Sequence, residues 1–526
     1  MGILQRLKEA DIAREMTMRL FLACIFCSLG GLGFGADYGF WSGMLGMKEF
    51  KKAFGVFDPE TNSWSIPSTW QSVGSAPPTA GLAIGALISG FVGNKYGRLN
   101  TFRGSSVVSI IGILIQSATI DSYWQIVAGR IINSLALGVL ANTIPAYLAE
   151  VAPLSIRGTL VNCYQFFIGV GAVLINTCNW GMHNRDDQWA YRTTILLQFV
   201  VPIVFVPGSF MIPESPRWLL GRGRQAEAIE SLATLRSSTP RDMVEREIEL
   251  INASEEENKA HFSSTWADCV KGSNLRRTLI ATGVQCLQQA QGSSFMSSYA
   301  VVFFQTIGIQ NEYEIIVLLL FVQTIASAFA FYLPDRFGRR WMLIINAIVM
   351  ALCMYVVSIV KGYNFANNDA GTRGAVAALF IWQFSAAVGW SSCVWIVTAE
   401  VPTLQLREKT ITIATFSGFC VSILVTFINP FMQDSGYGNL QGRVGFVYGS
   451  FSIAAALWTF FLYPETGFRS LEELDELFHK KVSVRNFRSY QTSGFGAQLA
   501  EVEHGIHYGE EEAAQTKAQA LDDPEK

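Results

Sequence analysis

Two ionisable residues stand in stretches of the chain that are otherwise almost free of charge. Asp37 lies in the segment FGADYGFWSG, and Arg130 lies in the segment GRIINSLALG. A charge buried alone among apolar residues is costly, so we expect these two to pair. An aspartate that can pair with or separate from an arginine can also take up and release a proton. The same two residues can form a purely structural ion pair, and the sequence alone leaves both interpretations open.

A second group of residues is suited to a neutral ligand that carries many hydroxyl groups. Amide side chains donate and accept hydrogen bonds, which matches sugar hydroxyls, and an aromatic ring can cover an apolar sugar face. Any single glutamine could instead bond a neighbouring helix, but several at similar depth favour a polar cavity. The candidates for this site are Gln165, Gln288, Gln289, Ser294, Gln323 and Trp395.

Charged residues recur in the two halves of the chain in the same order. GFVGNKYGRL is matched by FYLPDRFGRR, EVAPLSIR by EVPTLQLR, and PES by PET. Arginines and carboxylates at such positions form charge-assisted bonds, which can hold one end of a helical bundle shut until the bundle changes conformation. Arginines in these positions can equally be topology signals. The predicted gate consists of Arg98, Glu150, Arg157, Glu214, Asp335, Arg336, Arg339, Arg340, Glu400, Arg407 and Glu465.

The elements that must position these residues are apolar spans. Half of the 526 residues are apolar and only 15% are charged, against about 25% in an ordinary soluble domain. Since about 20 apolar residues cross a bilayer as a helix, the apolar windows predict twelve membrane-spanning helices. The predicted spans are 20–41, 71–93, 103–120, 124–145, 159–180, 193–212, 277–305, 313–333, 342–361, 375–399, 409–431 and 443–463.

The spans divide the chain into five parts. They are an N-terminal segment (1–19), a six-helix half (20–212), a central loop with short amphipathic helices (213–276), a second six-helix half (277–463) and a polar tail (464–526). With the repeated motifs, this order predicts an all-α membrane protein of two parallel six-helix repeats. That is the layout of the major facilitator fold, in which the substrate binds between the halves.

The placement of Lys and Arg in the short loops predicts the orientation. The loop after the second span carries Lys95, Arg98 and Arg103, and the loop after the eighth span is equally basic. The loops after the third and seventh spans have no Lys or Arg, whereas the first loop departs from the trend with three lysines. We therefore expect both termini, the central loop and the predicted gate in the cytosol.

The composition also argues against other classes of function. A net charge of −3 without a basic patch does not favour nucleic-acid binding. Most of the 9 cysteines fall in apolar segments without metal-ligand spacing, and the 5 histidines are scattered. We find no phosphate-binding loop and no pairing of a nucleophile with a base. We therefore expect no metal, no cofactor and no enzymatic activity.

The motifs together resemble the sugar porter family of the major facilitator superfamily, over roughly residues 20–480. They are GRIINSLALG, PAYLAEVAPLSIRG, PESPRWLL, QQAQG, DRFGRR and PETGFRSLEELDELF, and WSIPSTWQ is similar to the fungal branch. The resemblance implies a proton-linked pair at Asp37 and Arg130, although some passive carriers of the family keep this Asp. It implies sugar contacts at Gln165, Gln288, Gln289 and Trp395, with Gln323 where the family often has Asn.

Several positions depart from the family pattern and bear on the substrate. Ser294 and Gly418 each stand where the family has Asn, and Val394 stands where it has Pro. The pocket implied by the resemblance is therefore less polar than that of a typical hexose carrier, which could admit a disaccharide, a polyol, quinate or a secondary metabolite. We expect a monomeric sugar:proton symporter in the plasma membrane. A facilitative sugar carrier, a carrier of a non-sugar metabolite and a non-transporting nutrient sensor stay open, and the short tail counts against the sensor.

Overall fold

The computed structural model describes residues 17–59, 62–152, 157–237, 240–249, 265–309, 311–329, 333–363, 369–403, 406–467, 469, 471–488 and 490. It is almost entirely helical in these residues. A small antiparallel hairpin, β1 (Val56–Asp58) with β2 (Ser63–Ser65), follows the second helix. The helices of the first half are α1 (Met18–Gly46), α2 (Lys48–Phe54), α3 (Ser68–Tyr96), α4 (Arg98–Ser117), α5 (Tyr123–Val151), α6 (Arg157–Met182), α7 (Trp189–Leu197) and α8 (Val200–Gly208).

The central loop and the second half continue the helical order. Two short helices form in the central loop, as predicted, and are α9 (Pro216–Gly221) and α10 (Gln225–Leu235). The second half and the start of the tail contain α11 (Gly272–Gln288), α12 (Ser294–Thr306), α13 (Glu312–Phe329), α14 (Leu333–Phe337), α15 (Arg339–Gly362), α16 (Asp369–Ser385), α17 (Ser392–Glu400), α18 (Arg407–Gln433), α19 (Val444–Leu462) and α20 (Leu471–His479).

The helices coincide with the predicted spans, so the predicted all-α membrane architecture is confirmed. Nine helices of the described residues are long and apolar enough to cross a membrane, and each covers one predicted span. The other three predicted spans are also helical, as α4, α6 and the consecutive pair α11 and α12. Boundaries differ by several residues; α1, for example, continues to Gly46 instead of ending at 41. Polar residues at helix ends are buried by neighbouring helices, which a window of hydropathy cannot register.

Close packing inside the first half depends on glycines at helix contacts. Where α1 packs along α6, Gly35 faces the carbonyl of Ile168, and Gly171 faces the carbonyl of Leu32. A Cβ on Gly35 would lie 1.9 Å from the Ile168 carbonyl oxygen, so no other residue fits without separating the helices. Small residues allow such approaches in membrane bundles, so these glycines set the distance between the two helices.

The two halves contact each other through matching helix pairs, which are α1 with α12, α3 with α18, and α6 with α13. We call the side that carries α9, α10 and α20 the inner side, and the opposite side the outer side. At the outer ends of the helices, the Ser42 hydroxyl accepts a hydrogen bond from Val301 N (3.1 Å), and the Ser72 hydroxyl donates one to the Phe427 carbonyl (2.7 Å). Contact between the halves therefore closes the outer side.

Three spans are interrupted at their middles. Helix α7 ends at Leu197 and α8 begins at Val200, since Pro202 has no N–H to donate to the Gln198 carbonyl one turn earlier. A π-helical segment (Gln289–Ser293) separates α11 from α12, and another (Ala386–Ser391) separates α16 from α17. Such insertions disrupt the regular helical hydrogen bonding and are frequent at functional sites.

The tail begins with a helix that packs on the inner side of the second half. Leu474, Leu477 and Phe478 of α20 are buried, while the buried Arg277 at the start of α11 bonds the carboxylate and the carbonyl of Asp475. The described residues of the tail therefore include α20 and continue after it to Tyr490. Its acidic final stretch, which we expect to be disordered, lies outside the described residues.

Candidate functional site

Three of the predicted substrate residues meet at the π-helical break between α11 and α12. The side-chain amide of Gln289 donates to Gln288 Oε1 (3.3 Å), and the hydroxyl of Ser294 donates to Gln289 Oε1 (2.6 Å). Gly292 lies inside this break with a φ of +106°, a conformation that favours glycine. The break thus turns consecutive polar side chains of one span into a connected row.

The row extends to two further spans of the second half. At one end, Gln288 Nε2 donates to the carbonyl of Trp390 in the other π-helical segment (3.3 Å). At the other end, the Ser294 hydroxyl lies 2.8 Å from the Ser422 hydroxyl of α18. Amides and hydroxyls in such a row both donate and accept, so they can exchange partners with a ligand rich in hydroxyl groups.

Gln323 belongs to a separate amide pair. Its Oε1 accepts a hydrogen bond from Gln383 Nε2, which joins α13 to α16. Both side chains are half-buried. Because Gln383 occupies the carbonyl of Gln323, it orients the amide of Gln323 so that its N–H₂ group remains available.

The other two predicted substrate residues are not part of either group. Gln165 is exposed on α6, and Trp395 on α17 is 45% exposed. Among the described residues, no hydrogen bond links either side chain to Gln288, Gln289 or Ser294. Their roles as ligand contacts therefore stay predictions.

Asp37 is buried inside the first half and is held by α5. Asn133 Nδ2 donates to Asp37 Oδ1 at 2.7 Å, and the Ser134 hydroxyl lies 3.5 Å from Asp37 Oδ2. Asn133 is oriented in turn by the Ser109 hydroxyl of α4, which donates to its Oδ1 at 2.6 Å. These hydrogen bonds fix the orientation of the buried carboxylate.

Arg130 lies on α5, the helix of Asn133, but does not bond Asp37 directly. Its guanidinium donates to the Gly74 carbonyl and lies 3.9 Å from the centroid of the Trp41 ring. Within the described residues, every side-chain nitrogen of Arg130 lies farther from the Asp37 carboxylate oxygens than 4.0 Å, the upper limit for an ion pair. The expected direct pair is therefore not formed in this state, because the backbone and an aromatic face take up the guanidinium instead.

In the predicted gate, the first half contains a compact set of charged bonds. Arg98 forms two bonds with the Glu150 carboxylate, at 2.7 and 3.2 Å. The Glu214 carboxylate accepts hydrogen bonds from the backbone N–H groups of Arg98 (3.0 Å) and Leu99 (3.1 Å), so it caps the N-terminus of α4. Gly97 precedes this cap with a φ of +95°, and a Cβ there would lie 2.6 Å from the Glu214 carboxylate.

The second half repeats the arrangement at equivalent positions. Arg339 bonds Glu400 at 3.0 Å. The Glu465 carboxylate accepts from the backbone N–H groups of Arg339 (2.8 Å) and Arg340 (3.2 Å) at the start of α15. Gly338 has a φ of +85°, and a Cβ there would lie 2.5 Å from the Glu465 carboxylate. The repeated Gly–Arg motif therefore brings a carboxylate onto a helix N-terminus in each half.

The Arg98–Glu150 pair joins two helices of the first half, and the Arg339–Glu400 pair joins two helices of the second half. That these pairs break when access switches stays a prediction. Among the remaining gate residues, Arg340 also donates to the Phe460 carbonyl (2.7 Å). Arg336 lies in α14, and Arg407 is the first residue of α18. The side chains of Arg157 and Asp335 lie outside the described residues.

A polar network that the sequence did not suggest closes the outer side. Lys51 of α2 donates to Gln305 Oε1 of α12 at 3.0 Å, and Gln305 Nε2 donates to Glu312 (2.9 Å) and to the Gly46 carbonyl (3.1 Å). Burial lowers the pKa of Lys51, and the nearby Glu312 opposes that shift. In the sequence, Lys51 is one of the three lysines that depart from the placement of basic residues in cytosolic loops. Its hydrogen bond to Gln305 of the other half could not be inferred from that.

Sequence reasoning also missed Asn133, Ser422 and Gln383. Asn133 stands one helical turn after Arg130 in GRIINS, so that spacing could have marked it as a neighbour of the same site. Ser422 and Gln383 come from spans distant in sequence from their partners. Only the packing of the helices brings them together.

Comparison with known proteins gives the same family that the motifs suggest. The family model described as "Sugar (and other) transporter" matches residues 23–478. The low-affinity glucose transporter HXT3 of Saccharomyces cerevisiae is 30% identical over 91% of this chain and 85% of its own length. The major facilitator-type transporter ecdD of Aspergillus rugulosus is 29% identical over 94% of this chain and 93% of its own length.

Solved structures agree with the architecture. The inward open conformation of the xylose transporter XylE from E. coli matches with a TM-score of 0.72 and 23% identity, covering 87% of this chain and 99% of that chain. The proton:xylose symporter XylE bound to 6-bromo-6-deoxy-D-glucose matches with a TM-score of 0.71 and 22% identity, covering 88% and 100%. At this identity the likeness concerns the fold. The chain is therefore a multi-pass membrane protein that belongs to the sugar (and other) transporter family, with a major facilitator fold.

Proposed function

We propose that this protein moves a sugar, a hexose or a disaccharide, across a membrane by alternating access as a sugar:proton symporter. The observation that carries the proposal is the row of amides and hydroxyls formed by Gln288, Gln289, Ser294 and Ser422 at a broken span. Discontinuous helices place binding groups at the middle of the membrane in many secondary transporters.

The chemistry of the row suits a sugar more than a charged solute. Its side chains are neutral, and each can either donate or accept a hydrogen bond. Gln165 and Trp395 are exposed, which leaves an amide and an aromatic ring free for contact with a sugar. Relatives whose names state a substrate, such as the low-affinity glucose transporter HXT3, support the same class.

The proton would bind at Asp37. Its carboxylate is buried and accepts a hydrogen bond from Asn133, while Arg130, on the helix of Asn133, donates to the Gly74 carbonyl. We infer that Arg130 and a proton compete for this carboxylate as the halves move, so that Asp37 is neutralised by one or the other in each state. Neutralisation lowers the cost of moving the site through a low-dielectric region.

Uptake measurements in cells that lack their own hexose carriers test the proposal. Labelled glucose and maltose are each followed with and without an inward proton gradient. We expect gradient-dependent uptake of one sugar, its loss in Asp37→Asn, and its retention in Asp121→Asn, which changes an exposed loop aspartate. Uptake that ignores the gradient would identify a facilitative carrier and leave Asp37 a structural role.

A carrier of a non-sugar metabolite is the second candidate. The observation that favours it is Ser294, whose hydroxyl is already engaged by Gln289 and Ser422 where the family often carries an amide. Absence of uptake of either sugar, with the protein shown at the cell surface, would support this candidate. We further propose that the protein acts as a monomer in the plasma membrane with both termini in the cytosol, which epitope tags and impermeant labels can test.

A further inference from the structure

The first half contains a small cavity on the side of Asp37. It lies between α1, α4, α5, α8 and the break before α8, and its polar lining includes Asp37, Ser106, Asn133 and Gln198. Its volume is about 20 Å³. A cavity needs roughly 10–15 Å³ to hold a water molecule, so this one has room for a single water.

Two buried side chains at this cavity have no partner within the described part of the chain. They are the hydroxyl of Ser106, which is 0% exposed, and the Nε2 group of Gln198, which is 6% exposed. Buried polar groups of folded proteins are almost always hydrogen-bonded, to protein or to ordered water. Their presence on the wall of one cavity indicates that something inside it bonds them.

The break in the sixth predicted span is a separate observation at the same place. Gln198 directly follows the last residue of α7, and Pro202, which also lines the cavity, cannot donate to the Gln198 carbonyl. Freed backbone groups inside a membrane protein are commonly satisfied by ordered water. The cavity therefore faces a backbone irregularity as well as two unpartnered side chains.

The direction of the surrounding hydrogen bonds defines what the cavity can hold. Asn133 Nδ2 donates to Asp37 Oδ1 and, at 3.3 Å, to Gln198 Oε1. The amide of Gln198 consequently directs its N–H₂ group away from Asn133, as a donor. The N–H₂ group of Gln198 on the wall disfavours a cation, whereas a water molecule can accept from Gln198 and donate to the Ser106 hydroxyl or to the Asp37 carboxylate.

We propose that this cavity binds one water molecule, positioned by Gln198 and Ser106, that passes protons to Asp37. The proposal rests on the proposed symport. In the transfer, an O–H bond of the protonated water breaks and an O–H bond forms on the Asp37 carboxylate, which leaves a neutral water in the cavity. Arg130 of α5 is the charged group that acts on Asp37, and the lining residues from α4 and α8 carry no ionisable side chain.

The test uses the full-length protein reconstituted in liposomes. Gln198→Leu and Ser106→Ala remove the two groups that hold the water, while Gln198→Asn keeps an amide. Ser28→Ala is the matched control, because Ser28 is also buried and unpartnered on α1 but does not line the cavity. Two rates are measured for each variant: gradient-driven sugar uptake, and exchange of sugar between equal concentrations, which needs no net proton movement.

We expect gradient-driven uptake to fall by about tenfold or more in Gln198→Leu, with a smaller fall in Ser106→Ala. Sugar exchange should stay near the wild-type rate in both, and Gln198→Asn and Ser28→Ala should keep both rates. Infrared difference spectra in H₂¹⁸O should show an O–H band of a buried water that is lost in Gln198→Leu.

The contrary outcomes separate the two proposals. A wild-type protein without sugar-coupled proton uptake overturns the symport and this role of the water together. A coupled wild type whose Gln198→Leu variant keeps its gradient-driven rate and its infrared band overturns the water site alone. Uptake driven by a sodium gradient and insensitive to pH would indicate that the cavity binds a cation instead of water, and would overturn the inference as well.

Discussion

The carboxylate of Glu465 provides a direct test of how the second half is held together. It accepts three backbone hydrogen bonds, from Arg339 (2.8 Å), Arg340 (3.2 Å) and Gly467 (3.0 Å). The substitution Glu465→Gln keeps the shape but replaces one oxygen by an N–H₂ group, which cannot accept. One backbone N–H loses its partner, and the remaining bonds lose their charge.

The magnitude follows from these bonds. A hydrogen bond to a charged group contributes about 1.5–3 kcal/mol, and a neutral one about 0.5–1.5 kcal/mol. One charged bond lost and two weakened by about 1 kcal/mol each therefore cost about 4 kcal/mol, close to a thousandfold change in the unfolding equilibrium. For a unit of about 150–250 residues, this corresponds to a fall in Tm of roughly 8–16 °C.

Thermal unfolding of the purified protein in detergent measures the effect. The control is Glu476→Gln, which weakens the ion pair between Glu476 of α20 and Lys480 just after the helix and should change the Tm by only about 1 °C. Glu214→Gln should resemble Glu465→Gln, because Glu214 caps α4 in the same way. Equal Tm values for Glu465→Gln and the Glu476→Gln control would refute the argument that backbone capping, rather than charge alone, gives this motif its role.

Three further substitutions test other parts of the molecule. Lys51→Met removes a bond between the halves at the outer side, so a cysteine introduced at Ser294 should react about fivefold faster with an impermeant reagent added outside. An unchanged rate would argue against this closure. Gln383→Leu frees the carbonyl of Gln323 and should raise KM about tenfold with little change in maximal rate if Gln323 binds substrate; an unchanged KM would remove Gln323 from the site. Gly35→Val should abolish folded protein at the surface, whereas Gly104→Ala, which meets nothing within 4 Å, should not; equal surface levels would contradict the packing argument.

Much of the site was predictable because it depends on residue type within single spans. A charged residue in an apolar span, such as Asp37, has a high free-energy cost, so its position in the sequence already indicates a functional role. Gln288, Gln289 and Ser294 stand within one turn or two of each other, so their proximity needed only a helix. The partners of Asp37 and Gln323 come from other helices, and hydropathy contains no information on which faces of two helices meet.

The gate shows where reasoning from single segments stops. Matching charges at Arg98, Glu150, Arg339 and Glu400 were visible from the repeat, but the pattern does not state whether two residues bond within a half or between halves. The direct contact expected between Asp37 and Arg130 fails for a similar reason. A guanidinium reaches several acceptors, and the Gly74 carbonyl and the Trp41 ring are supplied by other helices.

The sequence by itself determined the class of the molecule: the apolar windows, the repeated motifs and the basic loops require a membrane bundle of two related halves. These features are local, since each depends on the composition of one segment and on the length of a bilayer-spanning helix. Only the tertiary structure decided that the outer side is closed, that the carboxylates of Glu214 and Glu465 cap helices, and that Gln198 and Ser106 face a cavity beside Asp37. Each of these depends on atoms that are distant in sequence and meet only when helices pack at one particular rotation, which glycines and helix breaks set.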